Sequence, residues 1–197
     1  MQLLSASDRV TDQHGAGFVV ETPALVVWRP AFDANRKALQ MALSTLPSKV
    51  AVRAHCKAHK SGAVAKIQTL EDGCIGVCAQ KLSEAEVMVE ADIGDILISN
   101  EIAVTPFKTD RLSAMLLRAI ARGGTKKVSV CVDAVEQVLQ LSTASERSNF
   151  PGGVGAMIEL DVGHHRCGVD SVKQVQSLCE AIANTNGHVY LAGLQVS

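Results

Sequence analysis

Lys57 stands between His55 and His59, with Arg53 upstream, in the stretch RAHCKAHK that follows the apolar run KVAV. A β-strand sends alternate side chains to one face, so Arg53, His55, Lys57 and His59 share a face if the strand persists that far. Such a row of nitrogen groups suits a solvated strand end, a metal cluster, or a primary amine made ready for covalent chemistry. Crowding by cations and partial withdrawal from water favour the neutral, nucleophilic form of a lysine, so Schiff-base chemistry is the first expectation. Imidazole and thiolate are competent metal ligands, but His55 and Cys56 face opposite sides of a strand. No metal ligand is assigned.

A regular alternation of elements must position these groups. β-Branched runs predict strands over residues 24–28, 49–55, 74–79, 95–100, 127–133, 156–162 and 189–196. Helix-like stretches fall between them, over 31–46, 61–72, 82–91, 106–122, 134–145 and 170–185. In DRLSAMLLRAIARGG, for example, Leu112, Met115, Leu116 and Ile120 recur at helical spacing, and Gly123 and Gly124 stop the helix. Strand then helix, repeated, implies an α/β fold with a parallel sheet covered on both faces. A barrel and an open doubly wound sheet both fit. The lack of G-x-G-x-x-G after the first strand favours the barrel. So few units cannot close eight strands, so the expectation is an incomplete (β/α)8 barrel.

Reactive groups of α/β folds gather at the carboxyl ends of strands. Those ends read HCKAHK, CAQK, SNE, CVD and DVGHHRCG, which would bring Lys57, Gln80, Asn100, Asp133 and Arg166 to one mouth. Asp133 and Asp161 serve equally well as caps and are left out of the site. His164 and His165 read as surface histidines in a turn. FPGGVGAM, residues 150–157, lacks the following Lys-Ser or Lys-Thr of a phosphate loop and reads as a connection. The acids of SEAEVMVEAD suit the start of a helix dipole.

Composition narrows the function classes. Of 197 residues, 47% are hydrophobic, enough for a substantial core, while a net charge of −1 and 3% aromatic residues supply neither the basic footprint nor the stacking platforms of a nucleic-acid binder. No apolar run approaches the roughly 18 residues of a membrane span, and MQLLSASDRVTDQHG lacks the pattern of a signal peptide. The expected location is cytoplasmic. Six cysteines without C-x-x-C spacing, four of them in apolar strand or helix stretches, read as reduced thiols.

TPALVV, RAHCKAHKS, IGVCAQKLSEAE, DILISNEI, VSVCVD, DVGHHRCGV and LAGLQ, in this order and spacing, resemble the D-threonine aldolase and D-serine dehydratase group of pyridoxal phosphate enzymes, which have an alanine-racemase-like barrel. The resemblance runs from residue 22 onward. It implies that Lys57 carries pyridoxal 5'-phosphate as an imine, that Gln80 and His55 lie with the cofactor-binding groups, and that Arg166 stands near the phenolic oxygen of the ring. It also implies an organisation: residues 1–28 as an N-terminal segment whose strand at 24–28 belongs to a β domain, and residues 29–197 as a partial barrel of about six strands. Ala54 and Cys56 depart from the proline and small residue usual in the family, and Trp28 stands where an acidic residue is common.

The tyrosine that typically follows GLQ, the last two barrel strands with their grip on the phosphate, and the β domain with its divalent-metal ligands fall beyond residue 197. The expectation is therefore low activity for these residues alone. In complete relatives the implied substrate is a D-β-hydroxy amino acid. An aldolase cleaves it to glycine and an aldehyde, whereas a D-serine dehydratase yields pyruvate and ammonia. CAQKLSEAE favours the aldolase branch; a non-catalytic fragment that still captures the cofactor is the alternative. The family also implies pairing of two chains to complete each site.

Overall fold

The computed structural model describes residues 10, 11, 17, 18, 23, 24 and 26–196. The chain divides into two compact units, residues 1–49 and 50–197. In the first, β1 (Val10–Thr11) and β2 (Gly17–Phe18) pair antiparallel, and α1 spans Arg29–Ser44. Pro30 sits in the first turn of α1, where its missing N–H removes no helical bond. Asp33 pairs with Arg29 and Arg36 one helical turn away on either side.

The strand expected over 24–28 is not found. Leu25 lies outside the described residues, and Val26, Val27 and Trp28 have no strand pairing. Apolar β-branched residues favour extended backbone, but a strand also needs a hydrogen-bonding partner. Instead these residues are exposed, Trp28 at 71%, and lead directly into α1.

The second unit contains β3 (Arg53–His55), α2 (Gly62–Leu70), β4 (Gly76–Ala79), α3 (Leu82–Glu90), β5 (Asp95–Ile98), α4 (Pro106–Arg122), β6 (Lys127–Val132), α5 (Val135–Ser148), β7 (Val154–Leu160), α6 (Val172–Ala183) and β8 (Val189–Val196). All six strands are parallel, in the order β3-β4-β5-β6-β7-β8. A doubly wound sheet reverses its strand order at a switch point. Here every crossover leads to the next neighbour in one direction, as in a (β/α) barrel, and the architecture is an incomplete barrel of this kind. Ile96, Ile98, Val128, Val130, Val132 and Ile158 on the strands are buried with Met88, Leu112, Met115, Leu116 and Leu141 on the helices in one core. Such β-branched runs, buried on both faces, are what a helix-covered parallel sheet requires.

Local chemistry sets the element ends. Thr105 accepts the Lys108 N–H at the start of α4, and Gly123 ends that helix in the left-handed region at φ 73°. Ser171 and Gln174 form a capping box at the start of α6. β7 begins at Val154, earlier than the expected 156, because Gly155 belongs to the strand. A Cβ at Gly155 would lie 2.4 Å from Ser129 Oγ on β6, so this glycine permits close approach of neighbouring strands.

β3 ends at His55, before Lys57. Residues Cys56–Ala58 form a 3-10 turn, closed by Cys56 O accepting from His59 N (3.1 Å) and Lys60 N (2.7 Å). The expected single face of Arg53, His55, Lys57 and His59 is thus interrupted after His55. Arg53 reaches across β4 to Asp95 on β5, with Nε–Oδ1 at 3.2 Å and Nη2–Oδ2 at 2.9 Å. This bidentate pair passes the position of Gly76, which has no side chain to block it.

Candidate active site

The carboxyl ends of β3 to β7 all lie on one edge of the sheet, and the sequence-predicted groups follow them. Lys57 follows β3 by two residues, Gln80 immediately follows β4, and Arg166 lies in the loop between β7 and α6. All three are exposed and, among the described residues, no ion pair engages Lys57 or Arg166 and no side-chain hydrogen bond engages Gln80. The partial burial expected for Lys57 is therefore not met, because the 3-10 turn carries it off the strand. No hydrogen bond joins Arg166 to Lys57, Gln80 or His55 among the described residues. A cavity of about 270 Å³ opens beside the first turn of α3, lined by Lys60, Lys81, Ser83, Glu84, Val87 and Met88, and contains none of the predicted site residues.

His55 is the predicted residue brought into direct contact with Lys57. Its Nδ1 accepts the Lys57 backbone N–H at 3.3 Å, and its Nε2 lies 3.3 Å from Ser99 Oγ. A nitrogen that accepts an amide N–H carries no proton, so the neutral ring bears its proton on Nε2 and donates to Ser99. The Ser99 hydroxyl in turn donates to Ala79 O at 3.4 Å. Burial holds the imidazole below its ordinary range, and the Lys57 charge adds to the effect. His59 is likewise lowered by burial; its Nδ1 accepts the Ser61 N–H at 3.0 Å, with the Gln68 side chain beside the ring. Cys56 is fully buried, and burial pushes its thiol up to about 11, the behaviour of a packing group.

Other strand-end side chains hold the scaffold. Buried Glu84 accepts the Gln80 N–H at 2.8 Å and pairs with Lys60, so it is Glu84, on α3, that satisfies the backbone after β4. Burial raises the Glu84 carboxyl, but Lys60 and the Gln80 N–H outweigh it and the net direction is down. Asp133 accepts from Gln137 Nε2 and from the Gly168 N–H, each at 3.0 Å. Asp161 accepts the Gly163 and His165 N–H groups at 2.9 and 3.0 Å, and these bonds hold its carboxyl below the usual range. Both aspartates therefore shape the loop that carries Arg166. His164 and His165 are exposed.

Glu101, Asp133 and Cys167 bring one donor atom each within 4.8 Å of one another. The Cys167 thiol lies beside the Glu101 carboxyl, which is raised chiefly by burial. With Asp133 already bound to Gln137 and Gly168, the group braces the loop after β7 against β5 and β6. Sequence reasoning passed over Ser99, Glu101 and Cys167, and read Glu84 only as one of the acids suited to a helix start. Ser99 and Glu101 flank Asn100 in the strand-end block SNE, and alternation alone did not say which of the three turns inward.

The amide, the guanidinium and the primary amine on this edge make a donor set that fits an anionic aldehyde cofactor. The alanine racemase N-terminal domain model matches residues 29–196. A D-threonine aldolase from Arthrobacter sp is 39% identical over 176 residues, which is 89% of this chain and 43% of that protein. The crystal structure of D-threonine aldolase from Filomicrobium marinum is similar with a TM-score of 0.75 and 36% identity, covering 89% of this chain and 44% of that one. D-threo-3-hydroxyaspartate dehydratase from Delftia sp. HT23 gives a TM-score of 0.67 at 27% identity, over 90% of this chain and 43% of that one. The chain thus spans less than half the length of these relatives. With strand order, helix-covered sheet and a match over most of its residues in agreement, the chain belongs to the alanine racemase N-terminal domain family.

Proposed function

We propose that this chain carries the cofactor lysine of a pyridoxal-phosphate-dependent lyase acting on D-β-hydroxy amino acids, and that the reaction is retro-aldol cleavage to glycine and an aldehyde. The observation that carries the reading is the uncommitted Lys57 amine on the carboxyl edge of the sheet, in a chain 39% identical to a D-threonine aldolase. Bound there, pyridoxal phosphate supplies an aldehyde for the amine and an electron-withdrawing ring that stabilises negative charge left at Cα. Lys57 binds the cofactor. Gln80 lies against it, since an amide both donates and accepts. Arg166, a permanent cation, holds the phenolic oxygen anionic. Neutral His55 adds no charge beside the Lys57 amine.

A second reading, a dehydratase, is favoured by the likeness to D-threo-3-hydroxyaspartate dehydratase. In it Lys57 removes the proton from Cα, and the β-hydroxyl departs. The higher similarity to the aldolase structure places the first reading ahead. The divalent metal implied for complete relatives would come from segments these residues do not include. In the same reading, the barrel domain starts at residue 29, after an N-terminal segment of 1–28. The partners are a small D-amino acid and a second copy of the chain, in the cytoplasm. Among the described residues no helix is long and apolar enough to cross a membrane.

The test is addition of pyridoxal phosphate to the purified chain, followed by borohydride reduction and peptide mass mapping. An imine absorbance near the edge of the visible, trapped on Lys57 and lost in Lys57→Ala, is expected. A label found instead on Lys60 or Lys81, or absorbance unchanged in Lys57→Ala, would refute the assignment.

A further inference from the structure

Ser99 has no assigned part in the chemistry, yet its hydroxyl stands where three strand ends meet. It follows β5 directly, its Oγ lies 3.3 Å from His55 Nε2 at the end of β3, and it donates to the carbonyl of Ala79 at the end of β4. The second ring nitrogen of His55 accepts the backbone N–H of Lys57, the residue at which the chain leaves the strand for the 3-10 turn. The directions of these bonds are mutually determined. Ala79 O can only accept, so the Ser99 hydroxyl donates to it and keeps its lone pairs for His55 Nε2–H. Nδ1 is then left without a proton and can accept from Lys57.

We propose that Ser99 is a positioning residue: by accepting the His55 Nε2 proton it fixes the tautomer and orientation of the imidazole that anchors the Lys57 backbone, and so directs the amine to its cofactor. This rests on the assignment of Lys57 proposed above. Without the hydroxyl, the His55 ring loses its side-chain partner and keeps only the Cys78 backbone beside it. The ring is then held less firmly, and rotation about Cβ–Cγ or a shift of its proton to Nδ1 removes the acceptor from the Lys57 amide.

The deciding measurement needs no cofactor. Imidazole 15N shifts of the 197-residue chain should show His55 protonated on Nε2 alone. Ser99→Ala should give a mixture of tautomers and faster exchange of the Lys57 amide, and Ser99→Thr, which restores the hydroxyl, should recover the wild-type pattern. Titration with pyridoxal phosphate should then show imine formation weakened several-fold in Ser99→Ala and restored in Ser99→Thr, with thermal unfolding of both variants close to wild type. An unchanged His55 tautomer and Lys57 amide in Ser99→Ala would overturn the relay. Loss of the cofactor assignment would register separately, as wild-type protein that forms no imine on Lys57.

Discussion

Replacing Gly76 with alanine should destabilise the barrel by about 1–3.5 kcal/mol. Gly76 lies on β4 opposite Arg53, one residue before the pairing of Val77 with Ile96. An added Cβ would sit 2.4 Å from the Asp95 carbonyl oxygen and 2.8 Å from Asp95 Cβ, and must retreat by about 1 Å to reach ordinary contact beginning at 3.4 Å. The first obstacle is backbone, which no rotamer change relieves. Overpacking of this kind costs about 1–3 kcal/mol, against which alanine recovers about 0.5–1 kcal/mol of the conformational entropy that glycine loses. The Arg53–Asp95 pair, with side chains 28% and 13% exposed, spans the same spot, and distorting it adds about 1 kcal/mol. Urea unfolding followed by circular dichroism measures the sum, which corresponds to a fall in Tm of about 2–14 °C. Gly94→Ala is the control: its nearest neighbour would be 3.9 Å away and its φ is not in the left-handed region, so it should be neutral or more stable by up to about 1 kcal/mol. A Gly76→Ala chain within about 0.5 kcal/mol of wild type, or an equal loss in Gly94→Ala, would refute the close-approach reasoning.

Asp133→Ala should cost about 1–3 kcal/mol and accelerate amide exchange over residues 161–170, because the Gly168 N–H and the Gln137 amide both lose their acceptor; unchanged exchange there would remove Asp133 from the support of the Arg166 loop. Thr105→Ala should lower stability by about 1 kcal/mol through loss of the α4 cap, measured by the same urea titration. His55 and His59 titrate below the ordinary 6.5 in the folded chain because of burial, so the unfolded chain takes up protons first as pH falls. Their contribution to stability is complete above 6.5 and lost as pH drops through that value toward their folded pKa. Urea midpoints measured on either side of 6.5 should show this slope, and His59→Gln should flatten it.

Much of the barrel was legible because its signals are local. The helix expected over 106–122 matches α4, Pro106–Arg122, since Thr105, Pro106 and Gly123 mark its ends chemically. The strand over 189–196 matches β8. Failures fall where the deciding partner is distant or where a residue has two uses. Val26, Val27 and Trp28 have strand composition but, among the described residues, no strand pairs with them. Gly155 looked like loop because glycine is usually read as a breaker, whereas its use here is to admit the Ser129 side chain. Lys57 was expected on the face of a strand, but the His55 ring, by accepting the Lys57 N–H, helps turn the backbone one residue after β3 ends. That last event depends on Ser99, 44 residues later, which no local window contains.

The carboxyl edge separates its polar residues by what already holds them. His55 and Ser99 link β3, β5 and the carbonyl after β4; Glu84 ties Gln80 N–H to Lys60; Asp133 and Glu101 hold the segment around Gly168 and Cys167. Buried or half-buried polar groups must find such partners, and apart from Glu101 Oε1 these have found them within the barrel. The side chains of Lys57, Gln80 and Arg166 are different in kind: an amine, an amide and a guanidinium, each in the segment that follows its own strand, each exposed and without a side-chain hydrogen bond among the described residues. A long cationic side chain with no protein partner is common on any surface and indicates nothing alone. Here the three stand at the edge where (β/α) barrels do their chemistry, while nearly every ionisable neighbour on that edge is already bound to backbone or to a countercharge. The same division predicts how variants should separate. Changing Ser99, Glu84 or Asp133 should appear first in tautomers, amide exchange or unfolding, whereas Lys57→Ala should leave the unfolding free energy within about 0.5 kcal/mol of wild type and abolish imine formation. A Lys57→Ala chain that unfolded as readily as Gly76→Ala would mean that the amine is part of the scaffold after all.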